Sequence, residues 1–372
     1  MATDTTSSET VNRTARYLRK AWQGISVPLV AVLLGLIIGA LLLLVSGAQP
    51  LSAYGALFEG AFGTPAAIQR TLEKATPLIF AGLAVAFAFK AGLFNIGAQG
   101  QLLIGAVVAA YVGFSIQGLP AIIHAPLALL IGGLAGALYG FIPGALKTYT
   151  GAHEVITTIM LNYVAINITD YLADGPWKDM TPGNIVARTP KIFPSAVLPS
   201  LGNIPTGFIL ALLAAVVAWW ILYRTTLGYE IRTVGLNSSA AQYAGIRVAK
   251  IVILSMMISG FLAGMGGAVE TQGINGRFQP GFNTGIGFDG ITIALLGKTN
   301  PFGVIPAALL LGAMRAGSSK MQFSAGVAPE ITDVITAVIL FFVAADIIVK
   351  TLIRQRGTDD DKVTLSTGWS GH

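Results

Sequence analysis

Apolar runs close to the ~20 residues that a helix needs to cross the hydrocarbon core of a bilayer recur from Val27 to Lys350. A chain built this way has the bilayer as its solvent, so its backbone polar groups must be satisfied within its own helices. The runs fall near 27–46, 75–90, 93–118, 121–146, 152–172, 206–223, 251–270, 284–297, 303–317 and 329–350. Ten spans predict an all-α integral membrane protein with a transmembrane domain over 27–350, tails over 1–26 and 351–372, and both termini on one side. Charged residues make up only 11% of the chain, against roughly 25% in a soluble domain, which excludes a separate soluble fold of any size.

Orientation follows from the basic residues. Arg13, Arg16, Arg19 and Lys20 precede the first run as they would a secretory signal. Val27–Val45 is, however, longer than the ~7–15 residues of a signal core and is read as a retained span. With the N-terminus inside, 15 of the 23 Lys and Arg fall on inner segments. The positive-inside rule then predicts cytoplasmic termini and a multi-pass protein of the inner or plasma membrane. The net charge of +6 does not imply nucleic acid, because the cations bracket apolar segments and form no continuous stripe.

Catalytic chemistry has little to work with. No cysteine is present, which removes disulfides, thiol catalysis and thiolate metal sites together. GITIALLGKT ends like a phosphate-binding loop, yet Thr292 stands where that loop needs glycine. His153-Glu154 opens like a zinc-protease helix, yet Thr157 stands where the second histidine belongs. His124, His153 and His372 are too scattered for a Ser/His/Asp set. A non-catalytic role is expected.

Two segments are too broken to be ordinary spans. Phe94-Asn95-Ile96-Gly97 and Phe282-Asn283-Thr284-Gly285 stand 188 residues apart, about half the chain, and each precedes a glycine-rich, then apolar, run. Interrupted hydrophobic segments at matching places in two halves point to a transport pathway near the midplane, and an odd number of spans per half implies inverted repeats of five helices. Asn95, Gln99 and Gln101 then face the pathway from one half, and Asn283 and Asp289 from the other, with Gln101 the counterpart of Asp289. Amides donate and accept together, which suits a neutral, hydroxyl-bearing solute. Phe94, Phe282 and Phe288 are positioned to stack on a ring in transit, and Asn162 lies deep in the fifth span. The competing role for each polar group is to bond helix to helix, at about 0.6 kcal/mol apiece.

Gly132, Gly136, Gly140 and Gly144 repeat every four residues, as do Gly260, Gly264 and Ala268; both stripes predict close helix packing. In the basic inner loop 224–250, GLNSSAAQYAGI (235–246) reads as a short helix capped by Asn237 or Ser238 and ended by Gly245.

Three stretches together resemble one family. They are ATPLIFAGLAVAFAFKAGLFNIGAQGQLLIGA (75–106), GAHEVITTIMLNYVA (151–165), and GLNSSAAQYAGI with GFDGITIALLGKTNPFG (287–303). The chain resembles permease subunits of ATP-binding-cassette importers of the branched-chain amino acid, simple-sugar and nucleoside group, with the first two stretches closest to the nucleoside type. The resemblance implies the bacterial cell (inner) membrane as the location and alternating access, with Gly235, Asn237, Ala240, Ala241, Tyr243, Ala244 and Gly245 as the coupling helix that meets an ATPase. The usual Glu-Ala-Ala start of that helix is absent, Ser238 and Ser239 standing before Ala240. The partners it implies are two ATP-binding subunits or one fused double ATPase, a second permease that is a paralogue, and an extracellular substrate-binding lipoprotein. The proline-rich outer loop 173–206, with Trp177, is where that lipoprotein is expected. ATP and Mg belong to the ATPase, and this chain is expected to bind no cofactor. A sugar or branched-chain amino acid cargo is the alternative. A secondary transporter fits less well, since few intramembrane carboxylates are present beyond Asp289, Asp333 and Asp346.

Overall fold

The computed structural model describes Val30, residues 32–281 and residues 285–344. Helices α1 (Val32–Val45) and α2 (Pro50–Phe62) lead into α3 (Pro65–Lys90), α4 (Ala98–Ser115), α5 (Ala121–Thr150) and α6 (Glu154–Asp174). A connection holding one short hairpin, β1 (Ser200–Leu201) and β2 (Ile204–Pro205), precedes α7 (Thr206–Arg224), α8 (Thr226–Leu236) and α9 (Ser238–Tyr243). Then come α10 (Val248–Glu270), extended by a π-helical turn over Thr271–Asn275, α11 (Ile286–Leu296), α12 (Pro301–Ala325) and α13 (Pro329–Ala344). Among the described residues, seven helices are long and apolar enough to cross a membrane: α3 to α7, α10 with its π turn, and α12. α1 and α11 are apolar but shorter. The expected runs 27–46 and 329–350 both extend past the described residues.

Several boundaries move for physical reasons. α3 starts ten residues before the apolar run at 75, because Thr64 accepts the Ala67 amide at 3.1 Å and Pro65 occupies the first turn. The polar residues in that stretch serve one another, Gln69 donating to Glu73 one turn on. α4 starts at Ala98 and not at 93, since Gly92 (φ 71°) turns the chain first. α12 runs well beyond 303–317 and takes in Lys320. α2 and α8 escaped a search for spans because they are short, and α8 is polar on all but a narrow face of Gly228, Ile231 and Val234.

The chain divides into two compact units. In one, whose described part is Val30 with residues 32–56 and 321–344, the Tyr54 hydroxyl donates to the Leu36 carbonyl at 2.6 Å and ties α2 to α1. The other, Leu57–Lys320, is organised around α3, which is buried continuously from Ala75 to Ala88. Beside it the two glycine stripes meet each other. Gly132, Gly136, Gly140 and Gly144 of α5 lie against Met256, Gly260 and Gly264 of α10, and Gly105 of α4 meets Gly264 from a third side. Lipid tails are as apolar as leucine, so burial drives no association here and close backbone packing must supply it.

A Cβ built on Gly136 would lie 2.7 Å from the Gly264 Cα, a backbone atom that cannot step aside. Gly136→Ala is therefore expected to destabilise the unit by about 1–3 kcal/mol. Gly55→Ala, on α2 in the other unit, where nothing lies within 4 Å, is expected to cause no loss of stability. Thermal unfolding of the two variants in detergent checks this, and equal midpoints would remove the packing argument.

Candidate functional site

Every helix leaves orphan backbone groups at its ends, and two helices here begin inside the bundle. α4 starts behind Gly97 and α11 behind Gly285, and neither glycine can cap with a side chain. Residues from elsewhere do it for them. The Asn162 Oδ1 of α6 accepts the Gly100 amide at 2.8 Å while its Nδ2 donates to the Ile96 carbonyl at 3.0 Å. The Gln99 Oε1 accepts the Gly287 amide in the first turn of α11 at 2.8 Å, across a sequence separation of 188. Asn162 thus spends both its donor and its acceptor on the start of α4, and Gln99 spends its acceptor on α11.

Asn95 and Gln101 form a second knot. Asn95 Nδ2 donates to Gln101 Oε1 and to Ser259 Oγ of α10, both at 2.8 Å, and Gln101 Nε2 returns a bond to Asn95 Oδ1 at 3.2 Å. Ser259 then donates to the Ala84 carbonyl of α3 at 2.6 Å. Asn95, Gln99, Gln101 and Asn162 are 0%, 2%, 1% and 3% exposed. The structure brings these four together as ties between helices.

Phe94, Phe288 and Asp289 stand apart from that closed cluster. Phe94 is 37% exposed with its ring 4.7 Å from Phe89, and Phe288 is 44% exposed. Asp289, in the first turn of α11, pairs with Arg315 of α12. The offset that matches Gln101 to Asp289 therefore joins two residues with different partners. Phe282 and Asn283 lie outside the described residues. Sequence reading missed Ser259 and Arg315. A lone cation inside an apolar helix was the available signal for Arg315, because at ~2.5–3.5 kcal/mol for insertion it must find a partner.

The coupling segment folds as its caps dictate. Asn237 Oδ1 accepts the Ala240 amide at 2.9 Å, α9 follows, and Gly245 (φ 83°) ends it with Ile246 N donating to Ala241 O at 3.0 Å. Ala241 is fully buried beneath α9, whereas Ala240 and Ala244 are exposed and Tyr243 stands 95% exposed at its tip. Gly235, at the end of α8, packs backbone to backbone on the α3–α4 turn. A Cβ there would lie 2.9 Å from both the Ala91 carbonyl carbon and the Gly92 nitrogen.

On the connection between α6 and α7, Asp179 accepts the Thr181 hydroxyl at 2.5 Å and faces Arg188 at 3.3 Å and Arg277 at 3.5 Å. The Thr181 hydrogen bond, with the Thr181 amide and the two guanidinium groups, holds its carboxyl below the usual carboxylate range. Arg277 follows the π turn of α10, and Thr189 exchanges hydrogen bonds with the Phe278 backbone, so the connection is fastened to the end of that helix. Trp177 stacks on Tyr111 of α4 at 4.4 Å.

The family described as branched-chain amino acid transport system / permease component matches residues 67–344. The chain is 46% identical to the guanosine ABC transporter permease protein NupP of Bacillus subtilis, over 86% of this chain and 92% of that protein. It is 38% identical to the nucleoside ABC transporter permease protein NupB of Lactococcus lactis, over 88% and 92%. It is 34% identical to the glucose ABC transporter permease protein TsgB13 of Haloferax volcanii, over 87% of each. A further guanosine permease of B. subtilis, NupQ, is 32% identical over 66% of this chain and 79% of its own length. No solved structure matches the chain.

A carboxyl held low contributes stability that is complete above the ~4 of an unfolded aspartate and is lost as pH falls through its lower folded value. In a variant that keeps Trp177 and has the other four tryptophans replaced by phenylalanine, the fluorescence is therefore expected to stay constant down to about pH 4 and to shift below it. Asp179→Asn should remove that acid transition. A transition of unchanged size in the variant would assign it to another group.

Proposed function

The chain belongs to the branched-chain amino acid transport system / permease component family, and from that premise we propose that it is the membrane-spanning permease subunit of an ATP-binding-cassette importer for nucleosides. The single observation that carries the cargo is the 46% identity to a guanosine permease across 86% of the chain. The exposed phenyl rings of Phe94 and Phe288 near the broken helices agree with a ring-bearing solute. Sugar import is the second reading, favoured by the glucose permease at 34% identity.

The subunit works by alternating access and leaves hydrolysis to others. ATP and Mg sit in two ATP-binding subunits or a fused double ATPase, a lipoprotein delivers solute, and a paralogous second permease completes the pathway. The similarity of this chain to both NupP and NupQ of one organism supports a heterodimer of paralogues. Ten spans, cytoplasmic termini and a bacterial inner-membrane location complete the reading. Two inverted repeats are supported by α4 and α11, which start behind glycines at the sequence separation of 188 and touch through the equivalent residues Gln99 and Gly287. Equivalent residues meet where a two-fold axis passes. Ala81 of α3 lies against Gly290 of α11 and Gly267 of α10 against Leu102 of α4, close approaches between corresponding helix pairs in which Leu102 and Gly290 stand 188 apart and Ala81 and Gly267 stand 186 apart.

Coupling has a short route. Closure of the ATPase pair displaces α9 through Tyr243 and its neighbours. Asn237 links α9 to α8, and Gly235 passes the displacement to the Ala91–Gly92 turn. That turn leads directly to Asn95 and the capped start of α4. Rigid backbone contact suits this role, because no side-chain rotamer can absorb the motion.

Cells carrying and lacking the gene are expected to differ in uptake of radiolabelled uridine and guanosine, with the difference lost on ATP depletion and indifferent to an uncoupler. Loss of glucose or leucine uptake instead would keep the machine and change its cargo, and dependence on the proton gradient would overturn the ATP-driven class. For the coupling route, Gly235→Val is expected to leave the subunit in the membrane with its partners and to separate ATP hydrolysis from uptake. Tyr243→Ala, which disturbs no buried contact, should weaken both. Normal uptake in both variants would refute the route.

A further inference from the structure

Arg315 lies in the middle of the 25-residue α12, and its guanidinium pairs with the Asp289 carboxylate at the start of α11. The two side chains remain 38% and 27% exposed, and Phe288 beside them 44%. Arg315 closes the apolar first half of α12, ahead of the polar RAGSSKMQFS stretch, and a charged pair showing this much surface is open to water or to a polar occupant. The neighbouring amides offer no such surface, being closed on the broken helix ends. Of the residues that sequence reading assigned to the pathway, the accessible ones among those described are Phe94, Phe288 and Asp289.

We propose that Arg315, Asp289 and Phe288 form a solute-contact station for a neutral ribosyl heterocycle, an inference that rests on the nucleoside-importer reading. A carboxylate accepts two hydrogen bonds from a vicinal diol, as acidic residues do from ribose in dinucleotide sites. The guanidinium fork supplies donors to the carbonyl groups of the base, and the Phe288 ring offers its face. The partial positive charge at the N-terminus of α11 faces Asp289 and stabilises a carboxylate there while Arg315 turns to the solute. Arg315 is also the positioning residue for Asp289 in the empty state, where each satisfies the other. A neutral solute leaves the sum of charges at the station at zero, whereas an anionic or cationic one leaves one partner uncompensated.

The test uses proteoliposomes holding the complete importer and compares maximal transport rates for uridine and 2′,3′-dideoxyuridine, since KM follows the binding protein. Loss of a hydrogen bond to a charged group predicts that Asp289→Asn lowers the uridine rate about tenfold, with the dideoxy rate within about twofold of wild type. Arg315→Lys keeps the charge and loses the fork; it should lower both rates while the complex assembles normally. Equal losses for the two solutes in Asp289→Asn overturn the station, as does full recovery of uridine transport when Asp289→Arg is combined with Arg315→Asp, which would mark a structural latch. Should Asp289→Asn fail to assemble, Phe288→Ala decides: a lower rate for both nucleosides with normal assembly sustains the station, and an unchanged rate overturns it. Wild-type proteoliposomes that import no nucleoside sink the functional reading itself, a result distinct from all of these.

Discussion

The structure depends on how two helices can begin in the interior of an apolar layer. A backbone amide left open there costs several kcal/mol, and water cannot cover it. Gly97 and Gly285 bring the chain close enough to start α4 and α11 but offer nothing to cap them. Asn162 and Gln99 close the gap from other helices, so the broken helices are held in position by the same bonds that satisfy them. Fixing α11 against α4 in this way brings Asp289 to Arg315. Fixing α4 against α6 and α10 gives the α3–α4 turn something rigid to push.

Close packing makes those long-range bonds possible. Amide side chains reach only a few ångströms, and they can bridge helices here because glycines let the helical axes come together. Gly105, Gly132, Gly136, Gly260 and Gly264 form one patch shared by α4, α5 and α10, where carbonyl and Cα groups touch without side chains between them. Asn95 then meets Ser259, one residue from Gly260 on α10. The glycine stripe and the polar knot are two parts of one joint, and widening the first would stretch the second.

What the sequence revealed and what it concealed divide by range. α9 was legible because its signals are local: Asn237 three residues before the amide it caps, and Gly245 at the positive φ that ends it. The glycine stripes were legible as a period of four, and membership of the permease family was legible in three motifs. The buried amides were legible as residues out of place in an apolar run, yet their partners were not, since Gly100 and Asn162 lie 62 residues apart and Gln99 and Gly287 lie 188 apart. Composition cannot tell an amide that lines a path from one that caps a helix. Arg315 was hidden differently: it stands inside the expected run 303–317, but its partner Asp289 lies 26 residues away on another helix. α8 stayed hidden because it is too short and too polar to register as a span.

Satisfied amides and exposed charge on neighbouring helix starts call for different consequences. A group whose hydrogen bonds are complete within the protein gains nothing from solute and would have to lose them to bind it, so the Asn95–Gln101 and Asn162 ties favour a fixed scaffold. An ion pair with a third of its surface open can exchange one partner for solute at little cost, because each charge keeps a second source of stabilisation: for Asp289, the dipole of α11. The closed amides and the open charged pair therefore divide the interior into groups that hold helices together and groups left accessible to a polar occupant.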